Sequence, residues 1–221
     1  MRTELVNVNG IKIGGGNPLV LIAGPCVIES KELVMKTAQG IKQITSELNI
    51  PFIFKSSYKK ANRTSDSSFV GIGDKEALDI LAEVKLKLKV PVITDIHTGA
   101  EAELAAQYVD ILQIPAFLCR QTELLKAAAK TGKVINIKKG QFLAPWDVKN
   151  IIDKFTSTGN HNLFITERGT SFGYNNLVVD FRGLPIMRSF GYPVIFDITH
   201  SLQLPGGRGG SSGGQIPESP R

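Results

Sequence analysis

Cationic side chains, hydroxyls and amides recur directly after short apolar runs of the sequence. The richest segment spans residues 55–65 and contains Lys55, Ser57, Lys60, Asn62, Arg63 and Thr64. Such a set can hold a phosphate or carboxylate through charge-assisted hydrogen bonds, with the arginine supplying a two-pronged fork. A merely exposed basic loop is the weaker interpretation, because hydroxyl or amide groups fill nearly every gap between the cations. Similar polar groups follow later apolar runs, among them Gln113, Lys138, Gln141 and Arg168.

Two further groups of residues could do acid–base or metal chemistry. Asp95 and His97 are two positions apart, so on an extended segment they share a face and could orient a sugar hydroxyl or a water. His97 could equally be a structural residue. Cys26 follows another apolar run and could be an inert buried thiol. Its position past a strand end, together with His200 at a comparable place, makes both residues candidate metal ligands.

The composition is that of an ordinary globular protein. The chain has 221 residues, 42% of them hydrophobic and 21% charged, with only two cysteines, which favours a reducing, cytoplasmic compartment. The longest apolar runs are too short to span a bilayer. The net charge of +6 could serve nucleic acid, but the helical lysines are interspersed with acids. The cations after the predicted strands favour small anions instead, and no nucleic-acid or membrane partner is expected.

Seven short β-branched runs, most of them separated by helical patterns, predict a parallel sheet buried on both faces. They cover residues 19–23, 52–56, 92–96, 111–114, 134–137, 163–166 and 194–198. Residues 5–13, with Asn9 and Gly10 at their centre, predict a β-hairpin. An open doubly wound sheet and a closed barrel both suit this order. Polar residues at every strand end, with no dinucleotide fingerprint, favour the TIM (β/α)8 barrel.

The strand count is one short of a closed barrel, which needs eight strands and typically about 250 residues. We therefore expect one incomplete barrel domain over residues 1–214, its hairpin near 5–13, with the eighth strand and last helices missing. Residues 215–221 form an atypical tail rich in proline and polar residues.

Together the strand ends resemble those of the 3-deoxy-D-manno-octulosonate 8-phosphate synthase family, over about residues 19–214. Each motif alone is weak, but their order and spacing are specific. They are Ala23-Gly24-Pro25-Cys26, residues 55–65, Thr94-Asp95-Ile96-His97, residues 114–121, residues 136–146, Glu167-Arg168-Gly169 through Asn175-Asn176-Leu177, and Thr199-His200-Ser201.

This resemblance implies condensation of phosphoenolpyruvate with D-arabinose 5-phosphate in lipopolysaccharide biosynthesis, releasing phosphate. Lys60, Asp95 and His97 would then be catalytic. Phosphoenolpyruvate would be held by Lys60, Gln113, Lys138 and Arg168, with Lys55, Ser57 and Gln141 also binding substrate. Asn62, Arg63 and Thr64 would meet the sugar phosphate, with Arg63 reaching across a subunit boundary, as in a homotetramer.

Cys26 stands where the metal-dependent members of the family have cysteine. The resemblance therefore implies a divalent metal, zinc or iron(II) or else manganese, held by Cys26 and His200 with a Glu and an Asp that have no counterpart here. Glu218 does not match the family pattern. Two other departures are Lys59, where an acid is usual, and Val70, where arginine is common.

Several alternatives stay open. The sister synthase that uses erythrose 4-phosphate (DAHP synthase) is expected to have a Lys-Pro-Arg loop, unlike Lys60-Ala61-Asn62-Arg63. Sialic acid synthase takes a substrate without a terminal phosphate to justify Arg63. A lysine could act instead as a Schiff-base nucleophile. From a different class, a catalytically impaired paralogue would bind phosphorylated ligands without turning them over.

Overall fold

Strands and helices alternate along most of the chain in the computed structural model, which describes residues 3–61, 69–207 and 213–214. The first half contains β1 (Leu5–Val8), β2 (Ile11–Gly14), β3 (Leu21–Ala23), α1 (Lys31–Glu47), β4 (Phe52–Lys55), α2 (Asp74–Leu88), β5 (Val92–Asp95), α3 (Gly99–Ala105) and β6 (Ile111–Ile114). The second half contains α4 (Thr122–Lys130), β7 (Val134–Lys138), α5 (Val148–Thr156), β8 (Leu163–Glu167), β9 (Thr170–Ser171), β10 (Leu177–Val178), α6 (Gly183–Arg188), β11 (Val194–Phe196), α7 (Ile198–Ser201), β12 (Gln203–Leu204) and β13 (Gly213–Gly214).

Seven of these strands form one parallel sheet in the order β3-β4-β5-β6-β7-β8-β11. Each neighbours the next in the chain, apart from the short β9 and β10 pair, which is the strand order of a (β/α) barrel. The predicted α/β barrel fold is thus confirmed. Among the described residues β3 and β11 form the two edges of this sheet, so the seven strands counted in the sequence are the seven of the sheet.

One predicted strand boundary is wrong in an informative way. The last sheet strand was expected to reach residue 198, but β11 ends at Phe196. Asp197 instead caps α7, because its side chain accepts a hydrogen bond from the backbone N–H of His200. His200 therefore lies on a short helix just beyond the strand.

Alternate residues of the central strands face opposite sides of the sheet, as strand geometry requires. Side chains on the outer face pack against the helices in the larger core, for example Phe54, Leu112 and Ile135. Those on the inner face begin with an apolar layer made by Ile53, Ile93, Ile111, Val134 and Phe164. Two residues further along each strand, the inner face carries Lys55, Asp95, Gln113, Asn136 and Thr166. The inner face is therefore apolar at one end and polar at the other.

The N-terminal hairpin covers the apolar end. Val6, Val8 and Ile13 pack against the inner apolar layer, and the predicted Asn9-Gly10 turn is confirmed, with φ of 48° and 91°. Both residues need positive φ in this kind of tight turn, which suits Asn and Gly. The amide of Asn9 also donates to Asp110 Oδ1 at 2.8 Å. The polar end of the sheet is thereby left as the open end.

Gly24 shows why the segment after β3 needs a glycine. Its φ is +155°, and an added Cβ would collide with the backbone carbonyl of Lys55. The residues before Cys26 therefore run against β4 more closely than a side chain would allow.

In the described part of the chain, none of the helices combines the length and the apolar character that crossing a membrane requires.

Candidate active site

Asp95 is the centre of the polar cluster at the carboxyl ends of the strands. Its Oδ2 atom accepts hydrogen bonds from the hydroxyl of Ser57 and from Lys55 Nζ, the latter at 3.1 Å. Lys60 Nζ lies 3.9 Å from the same oxygen and donates to Ser57 Oγ at 2.7 Å. The structure thus brings together Lys55, Ser57, Lys60 and Asp95, four of the residues singled out in the sequence.

A row of buried side chains continues from Asp95 across three more strands. Gln113 donates its amide to Asp95 Oδ1 and accepts from Asn136 Nδ2 at 2.7 Å. The hydroxyl of Thr166 in turn donates to Asn136 Oδ1 at 2.6 Å. We call this chain from Thr166 to Asp95 the amide row. Each donor in it points towards the carboxylate, so the row fixes which end of the Gln113 and Asn136 amides carries the oxygen.

The charges around Asp95 decide its protonation state. Burial alone would raise the pKa of this carboxyl, but the cations of Lys55 and Lys60 outweigh burial and hold the pKa well below its usual range. The charge of Lys138 acts in the same direction. For Lys60, burial and the repulsion from Lys55 lower the pKa of the ammonium. Asp95 is therefore an ionised acceptor in a cluster that remains rich in positive charge.

Lys138 forms a second ionic group with Asp197 and His200. Its Nζ lies 2.6 Å from Asp197 Oδ2 and 3.4 Å from the ring Nδ1 of His200. His200 Nδ1 is also 2.8 Å from Asp197 Oδ2. Burial lowers the pKa of Lys138, against the attraction of Asp197. Because Lys138 also influences Asp95 electrostatically, the two ionic groups belong to one cluster.

Arg168 and Gln141 each bring an unused polar atom to this end of the sheet. Within the described residues, the buried atoms Arg168 Nη1 and Gln141 Oε1 have no hydrogen-bond partner. Burial lowers the pKa of Arg168, while the charge of Asp197 opposes that shift. A buried guanidinium nitrogen without an acceptor is costly in a folded protein, so this atom is suited to receive an anionic ligand.

Lys139 faces away from the cluster, unlike its neighbour Lys138. Its Nζ is 3.0 Å from Thr170 Oγ1 and 3.5 Å from Glu167 Oε1, and it donates to the carbonyl groups of Gly140, Leu143 and Gly169. The strand alternation explains the difference, since Lys138 shares the inner face with Asn136. Lys139 therefore ties together the loops that follow β7 and β8.

His97 lies beyond the end of β5, held by Glu101. The ring Nδ1 of His97 is 2.8 Å from Glu101 Oε2, and the backbone N–H of His97 donates to the same oxygen at 2.8 Å. The sequence placed Asp95 and His97 on one face, but their hydrogen-bond partners differ: Asp95 bonds Lys55, Ser57 and Gln113, whereas His97 bonds Glu101.

Asn62, Arg63 and Thr64 of the predicted sugar-phosphate site, and residues 215–221 with Glu218, lie outside the described residues.

The two candidate metal ligands lie after the two edge strands of the sheet. Cys26 is exposed after β3, beside Lys60, and His200 is on α7 after β11. Thiolate and imidazole suit zinc or ferrous iron, and the bond from His200 Nδ1 to Asp197 is the kind that orients a metal-binding imidazole. Across the ranges that the structure describes, no three His, Cys, Asp or Glu side chains gather into a metal cluster. The donor types fit a metal, and the described residues supply part of its ligand set.

Four residues of this region had no role assigned from the sequence: Asn136, Thr166 and Asp197 at strand ends, and Glu101 on α3. Asn136 and Thr166 build the amide row, Asp197 joins Lys138 to His200, and Glu101 holds His97. For Asn136 and Thr166 a signal existed: each has the same strand parity as a cation two residues later, Lys138 and Arg168. Glu101 had no such signal, because it lies on α3 and strand parity does not apply to it.

A sheet of this strand order, with ionised side chains gathered at its carboxyl end and an apolar plug at the other, defines the class of (β/α)-barrel enzymes. Within that class, a model of the DAHP synthetase I family matches residues 2–214. The chain belongs to this family.

Curated relatives are similar over nearly the whole chain. A protein of Geobacter sp. (strain M21), named 2-dehydro-3-deoxyphosphooctonate aldolase, is 63% identical over 213 residues, which are 96% of this chain and 78% of the relative. Proteins of the same name from Citrifermentans bemidjiense and Trichlorobacter lovleyi are 62% and 60% identical, with the same shares covered.

Proposed function

We propose that the chain catalyses the condensation of phosphoenolpyruvate with D-arabinose 5-phosphate and water, giving 3-deoxy-D-manno-octulosonate 8-phosphate and phosphate. The relatives' printed name, 2-dehydro-3-deoxyphosphooctonate aldolase, supports this reaction. The observation that carries it is electrostatic. The cations Lys55, Lys60, Lys138 and Arg168 outnumber the carboxylates Asp95 and Asp197 at one end of one sheet. Such an excess suits two substrates that both carry phosphate.

In this proposal the two ends of the cluster have different roles. Lys138, Arg168, Gln113 and Lys60 hold phosphoenolpyruvate, assisted by Lys55, Ser57 and Gln141. The buried Nη1 of Arg168 and its place beside Asp197 support an anion-binding role for the guanidinium. Asn62, Arg63 and Thr64 hold the phosphate of the sugar.

In this proposal the reacting carbons of the two substrates lie near Asp95, His97 and Lys60. The enolate carbon of phosphoenolpyruvate attacks the sugar aldehyde, water adds to the adjacent carbon, and the C–O bond to phosphate then breaks. Negative charge moves among the anionic groups during these steps, so fixed cations stabilise the transition state more than the ground state. The ionised carboxylate of Asp95 holds the ammonium groups of Lys55 and Lys60 in the positions from which they stabilise that charge.

Cys26 and His200 would hold a divalent metal, zinc or iron(II) or else manganese. Such an ion would supply Lewis-acid polarisation of a substrate oxygen or of the attacking water. The exposure of Cys26 and the Asp197 contact of His200 support this assignment. We further propose a cytoplasmic homo-oligomer, a tetramer by family resemblance, in which Arg63 reaches a neighbouring subunit.

A phosphate-release assay tests the reaction. The purified chain is given phosphoenolpyruvate with arabinose 5-phosphate, with erythrose 4-phosphate, or with no sugar, each with and without added zinc or iron(II). We expect release with arabinose 5-phosphate, a requirement for metal, and loss of both bound metal and activity in Cys26→Asn. Metal content measured by mass spectrometry is the second readout.

The other outcomes each contradict a defined part of the proposal. Phosphate release only with erythrose 4-phosphate would show that the chain has the activity of a DAHP synthase instead. Binding of phosphoenolpyruvate by calorimetry, without release with any sugar, would identify a catalytically impaired paralogue. Turnover by Cys26→Asn that needs no metal would overturn the ligand assignment.

A further inference from the structure

A charged group around His97 contains three residues, Lys59, Asp74 and Glu101, that have no role in the reaction described so far. Together with His97 we call this group the His97 support. Lys59 Nζ lies 3.0 Å from Asp74 Oδ2 on α2 and 3.0 Å from Glu101 Oε1 on α3. The other carboxylate oxygen, Glu101 Oε2, contacts the backbone and the ring of His97. Both carboxylate oxygens of Glu101 are therefore engaged, Oε1 by Lys59 and Oε2 by His97.

The carboxylate of Glu101 is held in its charged form. Burial would raise its pKa, but the hydrogen bonds from Lys59 and His97 outweigh burial and lower the pKa. An ionised carboxylate can only accept hydrogen bonds. The ring nitrogen that faces it, His97 Nδ1, must therefore carry the proton. In the neutral ring this leaves Nε2 as the acceptor, whereas a free histidine side chain in water prefers to carry the proton on Nε2.

We propose that Glu101, anchored by Lys59, is a positioning residue that sets the ring orientation and the Nδ1–H tautomer of His97. This inference rests on the proposed function, in which His97 lies near the reacting carbons. Glu101 then resembles the carboxylate that orients a catalytic histidine in other enzymes. Lys59 stands where the resembled family usually has an acid, so here the contact to Glu101 is made by a cation.

A purely structural role for Glu101 would be helix capping. Thr98 is the N-cap of α3 and accepts from Glu101 N at 3.2 Å. In a capping box the acid would return to the backbone N–H of the cap residue itself. Here the acid instead reaches His97 N and the His97 ring. Capping alone would affect stability without specifying which ring nitrogen of His97 is protonated.

Nitrogen NMR of the histidine rings tests the tautomer without any substrate. The chain contains three histidines, so ring ¹⁵N labelling with His97→Asn as the assignment variant isolates the His97 signals. We expect a protonated Nδ1 in the wild type, a switch towards Nε2–H in Glu101→Met, and a return of Nδ1–H in Glu101→Gln, whose amide oxygen still accepts. Lys31→Met, which breaks an exposed ion pair with Glu83, is the control and should change nothing.

Kinetics with arabinose 5-phosphate supply the second readout. Misorientation of one reacting group costs roughly 10- to 100-fold, so Glu101→Met should lower kcat by about that factor, with KM for phosphoenolpyruvate changed less than about twofold. Lys59→Met keeps the contacts between Glu101 and His97 but loses their anchor, so we expect about a threefold loss of kcat. Glu101→Gln should restore most of the rate.

The possible failures are distinguishable. An unchanged His97 tautomer in Glu101→Met overturns the inference whatever the activity. A switched tautomer with wild-type kcat shows that the contact does not serve catalysis, and also overturns it. If Glu101→Met does not fold, a wild-type rate in Lys59→Met together with a ring bearing Nε2–H in the wild type does the same. Absence of turnover in the wild type counts against the proposed function alone, because the NMR arm needs no substrate.

Discussion

At the scale of single residues, the site depends on side chains that hold other side chains. Asp95 accepts from Ser57, Lys55 and Gln113, so both of its oxygens are already in use before any substrate arrives. Gln113 is likewise engaged at both ends of its amide. The remaining Gln113 N–H is then left to donate to a ligand, in our proposal phosphoenolpyruvate, and its direction is fixed by the amide row.

Thr166 is the far end of that row and tests its importance. Thr166→Val keeps the shape of the side chain but leaves Asn136 Oδ1 buried without a donor, which should cost about 1–3 kcal/mol of unfolding free energy. Freed to rotate, Asn136 no longer fixes Gln113, so we expect kcat to fall about tenfold or more. Urea unfolding and steady-state kinetics measure the two effects.

Thr166→Ser retains the hydroxyl and should behave as the wild type. Thr45→Val is the matched control, since Thr45 is also buried but bonds only backbone carbonyls of α1. If Thr166→Val and Thr45→Val both leave kcat unchanged, the amide row does not contribute to catalysis.

The sequence predicted the charged members of the site but not their supports. Lysine, arginine and histidine after a strand draw attention because their chemistry is visible from residue type alone. Asn136 and Thr166 are common polar residues whose role appears only when β6, β7 and β8 are placed side by side. Whether Asn62, Arg63 and Thr64 bind the sugar phosphate stays a prediction.

At the scale of elements, the two-residue alternation of the strands separates the core from the site. The inner face changes from Ile53 to Lys55 in β4 and from Ile93 to Asp95 in β5. The hairpin of β1 and β2 closes the apolar end, and at the other end Lys139 ties together the loops that follow β7 and β8. Each of the five central strands, β4 to β8, therefore contributes one inner-facing residue to the apolar layer and the next inner-facing residue to the polar cluster.

The hairpin should stabilise the sheet through its inner side chains alone. Ile13→Ala removes methylene groups packed on the inner apolar layer and should lower the free energy of unfolding by about 2–4 kcal/mol. Leu5→Ala in the same hairpin is the control, because Leu5 is 49% exposed and its loss should change stability by less than about 0.5 kcal/mol. If both substitutions lower the free energy of unfolding equally in urea, the inner side chains of the hairpin do not stabilise the sheet by covering its apolar end.

Elements were predictable where a short β-branched run was bounded by turn residues, where a helical repeat was long, or where a turn dipeptide was unambiguous. All seven sheet strands and the Asn9-Gly10 hairpin follow from such signals. The short helices α3, α6 and α7, of 7, 6 and 4 residues, were missed because they are too brief to show an apolar period. The error at β11 has the same origin, since a cap such as Asp197 reads as a strand residue in an apolar run.

At the scale of the whole molecule, the buried ions should make stability depend on pH. The pKa of Asp95 is far below its value in the unfolded chain, about 3.9 for a free side chain. The unfolded state therefore binds the proton more readily, so the contribution of Asp95 is fully present above about pH 4 and is lost as the pH falls further. The low pKa of Asp95 is caused by the cations Lys55 and Lys60, which favour the charged carboxylate.

Denaturant unfolding at a series of pH values from about 6 to about 3 measures this contribution. We expect the free energy of unfolding to fall more steeply with acidification in the wild type than in Asp95→Asn, which has no charge to lose. Asp153→Asn is the control, since Asp153 forms an exposed pair with Lys149. An identical pH slope in wild type and Asp95→Asn would contradict the stabilising role of this ion cluster.

The cross-strand origin of the Asp95 contacts also bears on how the chain folds. Lys55 comes from β4, Asp95 from β5 and Gln113 from β6. An intermediate that buried β5 before β4 docked would hold a carboxylate without its cation, a situation that costs several kcal/mol. Partly assembled sheets are therefore penalised until the neighbouring strands have joined. The residues proposed to bind the substrates thus also favour an all-or-none folding transition.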